Sequence, residues 1–329
     1  MSLLPLTLAC APYDRSLPLF DGRVRPEGID LNVLLLRYED TFWRMLRHQE
    51  FDVSELSLSS YLMTKHAGPD FVALPILLSR VFRHSSIYIN ANAGIDKPLD
   101  LKGKRIGVPE YQMTAALWIR GILQHEYGVA PHEVKWFSGG LEEPGRVEKL
   151  PLNLPKNISI QAVAGDTLNG MLERGDLDAL VTARPPTSFL KPGGKVIRLF
   201  KDSKAEEIAY YKKTGIFPPM HCVAMRRDVY ESNRWIAQSL FKAFVEAKKY
   251  IELDYMFDGH IKVSVPFMPH VVEETKAVFG GKDPWAYGIE ENRKTLETLV
   301  QYSHEQGLIP KRYALEELFA AEAFDSSRN

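Results

Sequence analysis

The sequence predicts an α/β protein of two lobes joined by two crossover connections, with a ligand cleft between the lobes. Three observations predict it. Short apolar strands alternate with amphipathic helices along most of the 329 residues, the pattern of open, mostly parallel sheets covered by helices. Polar clusters follow several of those strands, at the carboxyl ends where open α/β sheets bind ligands. Strands at Ile87 and Val223 are placed to carry the chain out of a first lobe and back into it. Residues 91–219 then form an inserted second lobe, and residues 1–90 with 220–329 form a discontinuous first lobe with a helical C-terminus.

Each element has its own justification. Strand Leu6–Cys10 runs into the polar loop Ala11–Leu17, and the turn Pro26-Glu27-Gly28 leads to the alternating strand Ile29–Leu35. Thr41–His48 carries Phe42, Met45 and Leu46 at helical spacing, and Phe51–Val53 reads as a strand followed by Ser54, Glu55, Ser57, Ser59 and Ser60. After apolar Phe71–Leu78 come Arg80, Arg83 and His84, leading into strand Ile87–Ile89. The central stretch Leu101–Arg120 is a polar turn, the strand Ile106–Val108, a break at Pro109 and a helix with Ala115, Leu117, Trp118 and Ile122 on its apolar face. Tyr127–Pro155 is long and rich in Gly, Pro and charge, as a lid, a binding loop or a homo-oligomer contact would be. Strand Ile158–Val163, a helix capped by Asp166 and Thr167 and ended by Gly175, and strand Leu177–Val181 follow. Val196–Phe200 and His221–Met225 are further strands. Ser232 is expected to cap a helix over Trp235–Leu253, and helices near Glu290–Glu305 and Ala314–Ala323 finish the chain.

Several residues stand where ligand chemistry is expected. The first-turn amides of a helix lack intrahelical partners and the helix dipole is positive there, so the junction before residue 115 suits a carboxylate, with Tyr111, Gln112 and Thr114 as added donors. The plain alternative is that Thr114 only caps the helix. Arg80, Arg83 and His84 among apolar residues read either as functional groups or as a solvated strand end. Arg184, on the rigid loop before Pro185 and Pro186, is suited to grip a carboxylate bidentately, against the alternative of a surface arginine.

Composition narrows the classes. With 41 basic and 42 acidic residues the formal charge is -1, so no global field favours nucleic acid or an anionic membrane. No segment approaches ~18 uninterrupted apolar residues, so no membrane span is expected, and the start of the chain lacks the early Lys or Arg of a secretory signal, so a cytoplasmic protein is expected. Cys10 and Cys222 read as buried thiols. Neither a phosphate loop nor a strand-flanked GxGxxG is found, and no HxH, HExxH or paired CxxC marks a metal.

The layout resembles the type 2 periplasmic binding protein fold. More closely, YDRSLPLFDGRVRPEGIDL, RHSSIYIN, DLKGKRIGVPEYQMTAALWIRGIL and WFSGG together resemble the 4,5-dihydroxyphthalate decarboxylase family over nearly the whole chain. The resemblance implies non-oxidative conversion of 4,5-dihydroxyphthalate to 3,4-dihydroxybenzoate and carbon dioxide, in phthalate degradation. A phenol para to the leaving carboxylate supplies its own electrons, so no cofactor is required, and one base and one acid suffice. His84 and His221 are the acid-base candidates, with Glu55 in reserve. Arg80, Arg83 and Arg184 would hold the carboxylates, joined by Thr114 and the helix amides. Ser57 lies in the polar cluster after its strand, and Tyr13, Asp14 and Arg15 would reach ring hydroxyls. A divalent metal on the catechol oxygens stays open beside the metal-free scheme. The competing classes are a solute-binding receptor or sensor for a small aromatic carboxylate, and a pyrimidine-precursor synthase of the same fold, which should show a Cys- and His-rich segment.

Overall fold

The computed structural model describes residues 2–257, 261 and 263–323. Two sheets form the two lobes. The first has strands β1 (Leu4–Cys10), β2 (Ile29–Leu35), β3 (Val53–Ser57), β4 (Phe71–Arg80) and β11 (Pro219–Arg226) in the order β2-β1-β3-β11-β4. The second has β5 (Ile87–Asn90), β6 (Arg105–Val108), β7 (Lys135–Gly139), β8 (Ile160–Val163), β9 (Ala179–Val181) and β10 (Val196–Arg198) in the order β10-β5-β9-β6-β7-β8.

The crossovers leave a mark in strand direction. β11 runs antiparallel to both β3 and β4, and β5 runs antiparallel to both β9 and β10, whereas the other pairings are parallel. Each is the first strand the chain makes after crossing between lobes. Sheet membership changes between Arg80 and Ile87, because β5 pairs wholly within the second sheet. That is a few residues before the expected boundary at 91. β4 holds Pro75 in its middle, which an edge strand tolerates because the missing N–H need not face a partner.

Local chemistry explains most elements. Thr167 accepts from the Gly170 N–H at 3.1 Å to cap helix Leu168–Arg174, and Gly175 ends it in the left-handed region at φ 88°. Two helices add to the elements read from the sequence, and one cap differs from expectation. Lys201–Lys213, polar and tyrosine-containing in sequence, is the helix Ser203–Thr214, whose N-cap Asp202 accepts from Ala205 N–H at 3.0 Å. Ser232 ends the short helix Arg227–Ser232 instead of capping Trp235–Phe257. Helix Met268–Phe279 is unexpected; its apolar residues are only partly covered, so it lacks the clear buried stripe that periodicity detects.

Helix Thr114–Tyr127 is the keystone. Every residue from Thr114 to Leu123 is buried, because it packs at once on β11 of the first sheet, on first-lobe helix Leu58–Thr64 and on helix Arg293–Glu305. Gly121 lets the last of these approach; a Cβ there would run into the Tyr302 ring. Trp118 Nε1 donates to Pro219 O at 2.9 Å, tying the second lobe to the start of β11. No helix among the described residues is long and apolar enough to cross a membrane.

Candidate active site at the head of β3 and β11

Because β11 is antiparallel to β3, its first residues lie beside the last residues of β3. The register pairs His221 with Ser57 and Val223 with Glu55, and residues two apart share a face, so Glu55, Ser57 and His221 point the same way. Distant sequence segments thus become diagonal neighbours. His221 Nδ1 lies 2.6 Å from Glu55 Oε1, the Tyr13 hydroxyl donates to the same oxygen at 2.5 Å, and the Ala11 N–H donates to Oε2 at 2.9 Å.

Glu55 is fully buried. Burial pushes its pKa up, but the hydrogen bond and charge of His221, with the donors Tyr13 and Ala11, overcome this and hold it below the ordinary carboxylate range. Burial, then the Glu55 charge, pushes the Tyr13 phenol well above its usual value, so Tyr13 stays a donor. With Nδ1 occupied, Nε2 of His221 is the nitrogen left without a protein partner among the described residues. Tyr38 and Phe42 flank the imidazole, with ring centroids 5.4 and 4.8 Å away.

Two arginines contact neighbours of this ring, Arg83 at Met220 and Arg184 at Tyr38. Arg83 is 6% exposed, follows β4 and reaches back to Met220 Sδ at 3.3 Å and Ser86 Oγ at 3.5 Å. No carboxylate pairs with it among the described residues. Burial lowers its pKa to about 10, opposed by the nearby Tyr38 and Glu207. Arg184 donates to the Tyr38 hydroxyl at 3.2 Å and to Glu39 Oε2 at 2.5 Å.

The other expected site residues go elsewhere, each for a physical reason. His84 is 1% exposed in a box of Tyr127, Phe200 and Tyr210, with neither ring nitrogen hydrogen-bonded among the described residues, which is the setting of a packing residue. Arg80 spends its guanidinium on Phe217 O at 3.0 Å, Ala286 O at 3.1 Å and Asn292 Oδ1. Arg15 stacks 4.0 Å over Trp285 and donates to Leu78 O, while Asp14 accepts from Arg15 N–H at 2.7 Å, so neither meets His221. Tyr111 packs beneath Arg120 at 3.6 Å. The Gln112 oxygen, with its amide oriented to suit its neighbours, accepts from Lys149 N–H at 2.5 Å and Leu150 N–H at 3.0 Å. Thr114 Oγ1 lies 2.8 Å from Ser57 Oγ and accepts from Ser59 N–H at 3.1 Å, closing a hydroxyl cluster across the seam between lobes.

The loop amides just before the helix N-cap Met113, next to the first-turn amides expected to take a ligand carboxylate, hold a carboxylate from the chain. Glu148 accepts from Tyr111 N–H at 2.5 Å and Gln112 N–H at 3.3 Å, and burial raises its pKa to about 7 despite those bonds. Tyr38, Phe42, Glu39 and Arg146 escape the sequence reading as site residues: three of them look locally like an ordinary helix and one like loop charge. A separate cavity of about 660 Å³, lined by Arg80, Phe217, Phe279 and Tyr287 among others, lies behind the crossovers and includes neither Glu55 nor His221. No group of three or more His, Cys, Asp or Glu side chains is gathered to hold a metal ion among the described residues.

The buried His84 makes a pH test. Burial depresses its pKa from 6.5 to about 4, so the unfolded chain takes the proton first as pH falls. Its contribution is therefore complete above pH 6.5 and is lost on the way down to about 4, up to ~3 kcal/mol in all. His84→Phe should flatten that part of the stability profile. Urea unfolding of both proteins at pH 7.5 and 4.5 checks it, and an unchanged pH dependence would count against the assignment.

The comparisons with known proteins agree with this architecture. No protein-family model matches the chain. Among solved structures, the alkanesulfonate-binding protein SsuA from Xanthomonas axonopodis pv. citri bound to MOPS aligns with TM-score 0.53 at 14% identity over 98% of each chain. The desulfurization enzyme DSZB aligns with TM-score 0.52 at 15% identity, covering 98% of this chain and 99% of that one. These likenesses establish the two-lobed periplasmic binding protein-like fold. Among curated proteins, a 4,5-dihydroxyphthalate decarboxylase of Pseudomonas putida is 43% identical over 214 residues, 64% of this chain and 83% of that protein. A 4,5-dihydroxyphthalate decarboxylase of Comamonas testosteroni is 38% identical over 329 residues, 99% of both chains. The chain therefore belongs to the 4,5-dihydroxyphthalate decarboxylase family.

Proposed function

We propose that this protein is a non-oxidative carboxy-lyase that converts 4,5-dihydroxyphthalate to 3,4-dihydroxybenzoate and carbon dioxide in phthalate degradation, in the cytoplasm, with His221 as its acid-base group. The observation that carries the site reading is the fully buried Glu55 bound to His221 Nδ1, beside a buried Arg83 that has no carboxylate of its own among the described residues. A buried guanidinium with no directly bonded carboxylate is costly, and a substrate carboxylate is the counter-ion that would relieve it.

The chemistry follows from the para relation of a ring hydroxyl to the leaving carboxylate. Electron density from that oxygen moves into the ring as the carboxyl-bearing carbon takes a proton from His221 Nε2. The carbon–carbon bond then breaks, its electron pair returns to the ring, aromaticity is restored and carbon dioxide leaves. One proton is consumed for each carboxylate lost. Glu55 fixes the imidazole through Nδ1 and offsets its charge, Tyr13 and Ala11 hold Glu55, and Tyr38 and Phe42 restrict the ring's rotation. Ser57 sits directly opposite His221 in the register and anchors the seam through Thr114.

Purified protein incubated with 4,5-dihydroxyphthalate, with and without chelator, should release 3,4-dihydroxybenzoate at the same rate in both, followed by chromatography. Chelator-sensitive turnover would bring a divalent metal into the scheme. Thermal stabilisation by the acid without product would replace the enzyme by a binding protein or sensor for an aromatic carboxylate.

A further inference from the structure

Residues 140–159, between β7 and β8, contain no helix or strand, yet they are tied to the first lobe. Arg146 Nη1 and Nη2 both donate to Glu39 Oε1 at 3.1 Å, and Arg47 Nη2 reaches Glu148 O at 3.4 Å. Glu39 belongs to the helix Tyr38–His48 that supplies the two rings around His221. Its other oxygen, Oε2, takes Arg184 Nη2 at 2.5 Å. One carboxylate thus joins two guanidiniums that come from separate segments of the second lobe. Arg146 is also paired with Glu110 at 2.6 Å, and Glu110 with Lys149 at 2.5 Å, so the group holds three cations against two carboxylates.

Resting on the decarboxylase reading above, we propose that Arg146 is a specificity-determining residue that, with Arg184, reads the departing carboxylate of an aromatic ortho-dicarboxylate, Glu39 being the counter-ion that keeps the two guanidiniums together when the site is empty. Geometry and energetics favour this division of labour. The deep Arg83, which forms no ion pair with a carboxylate among the described residues, takes the carboxylate that stays. A strong ion pair to the departing group would stabilise the ground state and be lost as carbon dioxide forms, which slows the reaction. A grip already shared with Glu39, on side chains 27% and 47% exposed, orients that group with little such penalty. Once it has left, the two guanidiniums return to Glu39 and the product is held at one end only.

The test compares two acids that differ in the second carboxylate. Calorimetric binding of phthalate and of 3,4-dihydroxybenzoate is measured for the wild type, Arg146→Gln and Arg146→Lys. Arg146→Gln should weaken phthalate about tenfold or more while 3,4-dihydroxybenzoate stays within about twofold, and Lys, which keeps the charge but not the fork, should restore part of the loss. Equal losses for both acids, or none for phthalate, would overturn the proposal. Phthalate carries no ring hydroxyl to drive decarboxylation, so its binding is read independently of turnover. If the wild type makes no product but loses its dicarboxylate preference in Arg146→Gln, the reaction assignment falls and this inference stands. Turnover with a dicarboxylate preference that does not depend on Arg146 would leave the reaction standing and overturn this inference.

Discussion

His221→Asn is expected to lower kcat on 4,5-dihydroxyphthalate by about 10²- to 10⁴-fold, with KM moving less than about threefold. The substitution isolates one nitrogen. An Asn amide can still donate from near the Nδ1 position, so Glu55 keeps a partner and the buried carboxylate is not left alone; what disappears is Nε2, the atom proposed to carry the proton. Glu55→Gln keeps the side-chain volume but removes the charge that offsets an imidazolium, and it should cost about 10- to 10²-fold. The two groups act as a unit, so the double variant should lie within about threefold of His221→Asn alone. If the two effects multiply instead, Glu55 and His221 are not one device. Circular dichroism on each variant separates lost chemistry from lost folding, because Glu55 holds the β1 loop through Ala11 as well.

Arg83→Met should produce two effects of opposite sign. Without substrate, the buried guanidinium is a liability: Glu207 acts on it only from a distance, no carboxylate is hydrogen-bonded to it among the described residues, and a flexible apolar side chain removes the cost. The ligand-free variant should therefore be more stable by about 1–3 kcal/mol, a rise in Tm of a few degrees. With substrate the balance reverses, since a charge-assisted hydrogen bond contributes about 1.5–3 kcal/mol, and KM should rise by roughly 10- to 10²-fold. Thermal unfolding with and without ligand, beside steady-state kinetics, reads both. A structural arginine would instead lose stability with little change in KM, as expected for Arg80, whose donors are occupied by Phe217, Ala286 and Asn292.

How far the site is legible depends on which interactions are local. Helix Leu168–Arg174 can be read almost to the residue, because its cap Thr167 and its stop Gly175 act within the segment itself. β3 shows where such reading ends. Ser54, Glu55 and Ser57 look like a polar loop, yet they lie inside a fully buried strand, because Glu55 finds its donors on β11, the β1 loop and Tyr13. A buried carboxylate cannot be told from a surface one by its neighbours in sequence when its partners are 42 to 166 positions away.

The same reasoning separates the arginines and histidines. Arg80, Arg83, His84 and His221 are equally conspicuous in the sequence, and only packing distinguishes them. Arg80 meets carbonyls, His84 an aromatic box, Arg83 the sulfur of Met220, and His221 the carboxylate of Glu55. Likewise the amides of Tyr111 and Gln112, in the loop before the helix, form an anion seat that the sequence reading places in the first helical turn, and its anion is the chain's own Glu148, brought from a loop whose path nothing local dictates.

Strand and helix periodicity, the turn residues and the two crossovers therefore determined the two-lobed architecture from the sequence alone, since hydrophobic patterning and backbone preferences act over a few residues. The motifs spread along the chain determined the family. Only the tertiary structure decided which titratable groups meet, because the antiparallel register of β11 against β3 and the closure of one lobe on the other depend on contacts between segments more than a hundred residues apart, where no local preference selects the partner.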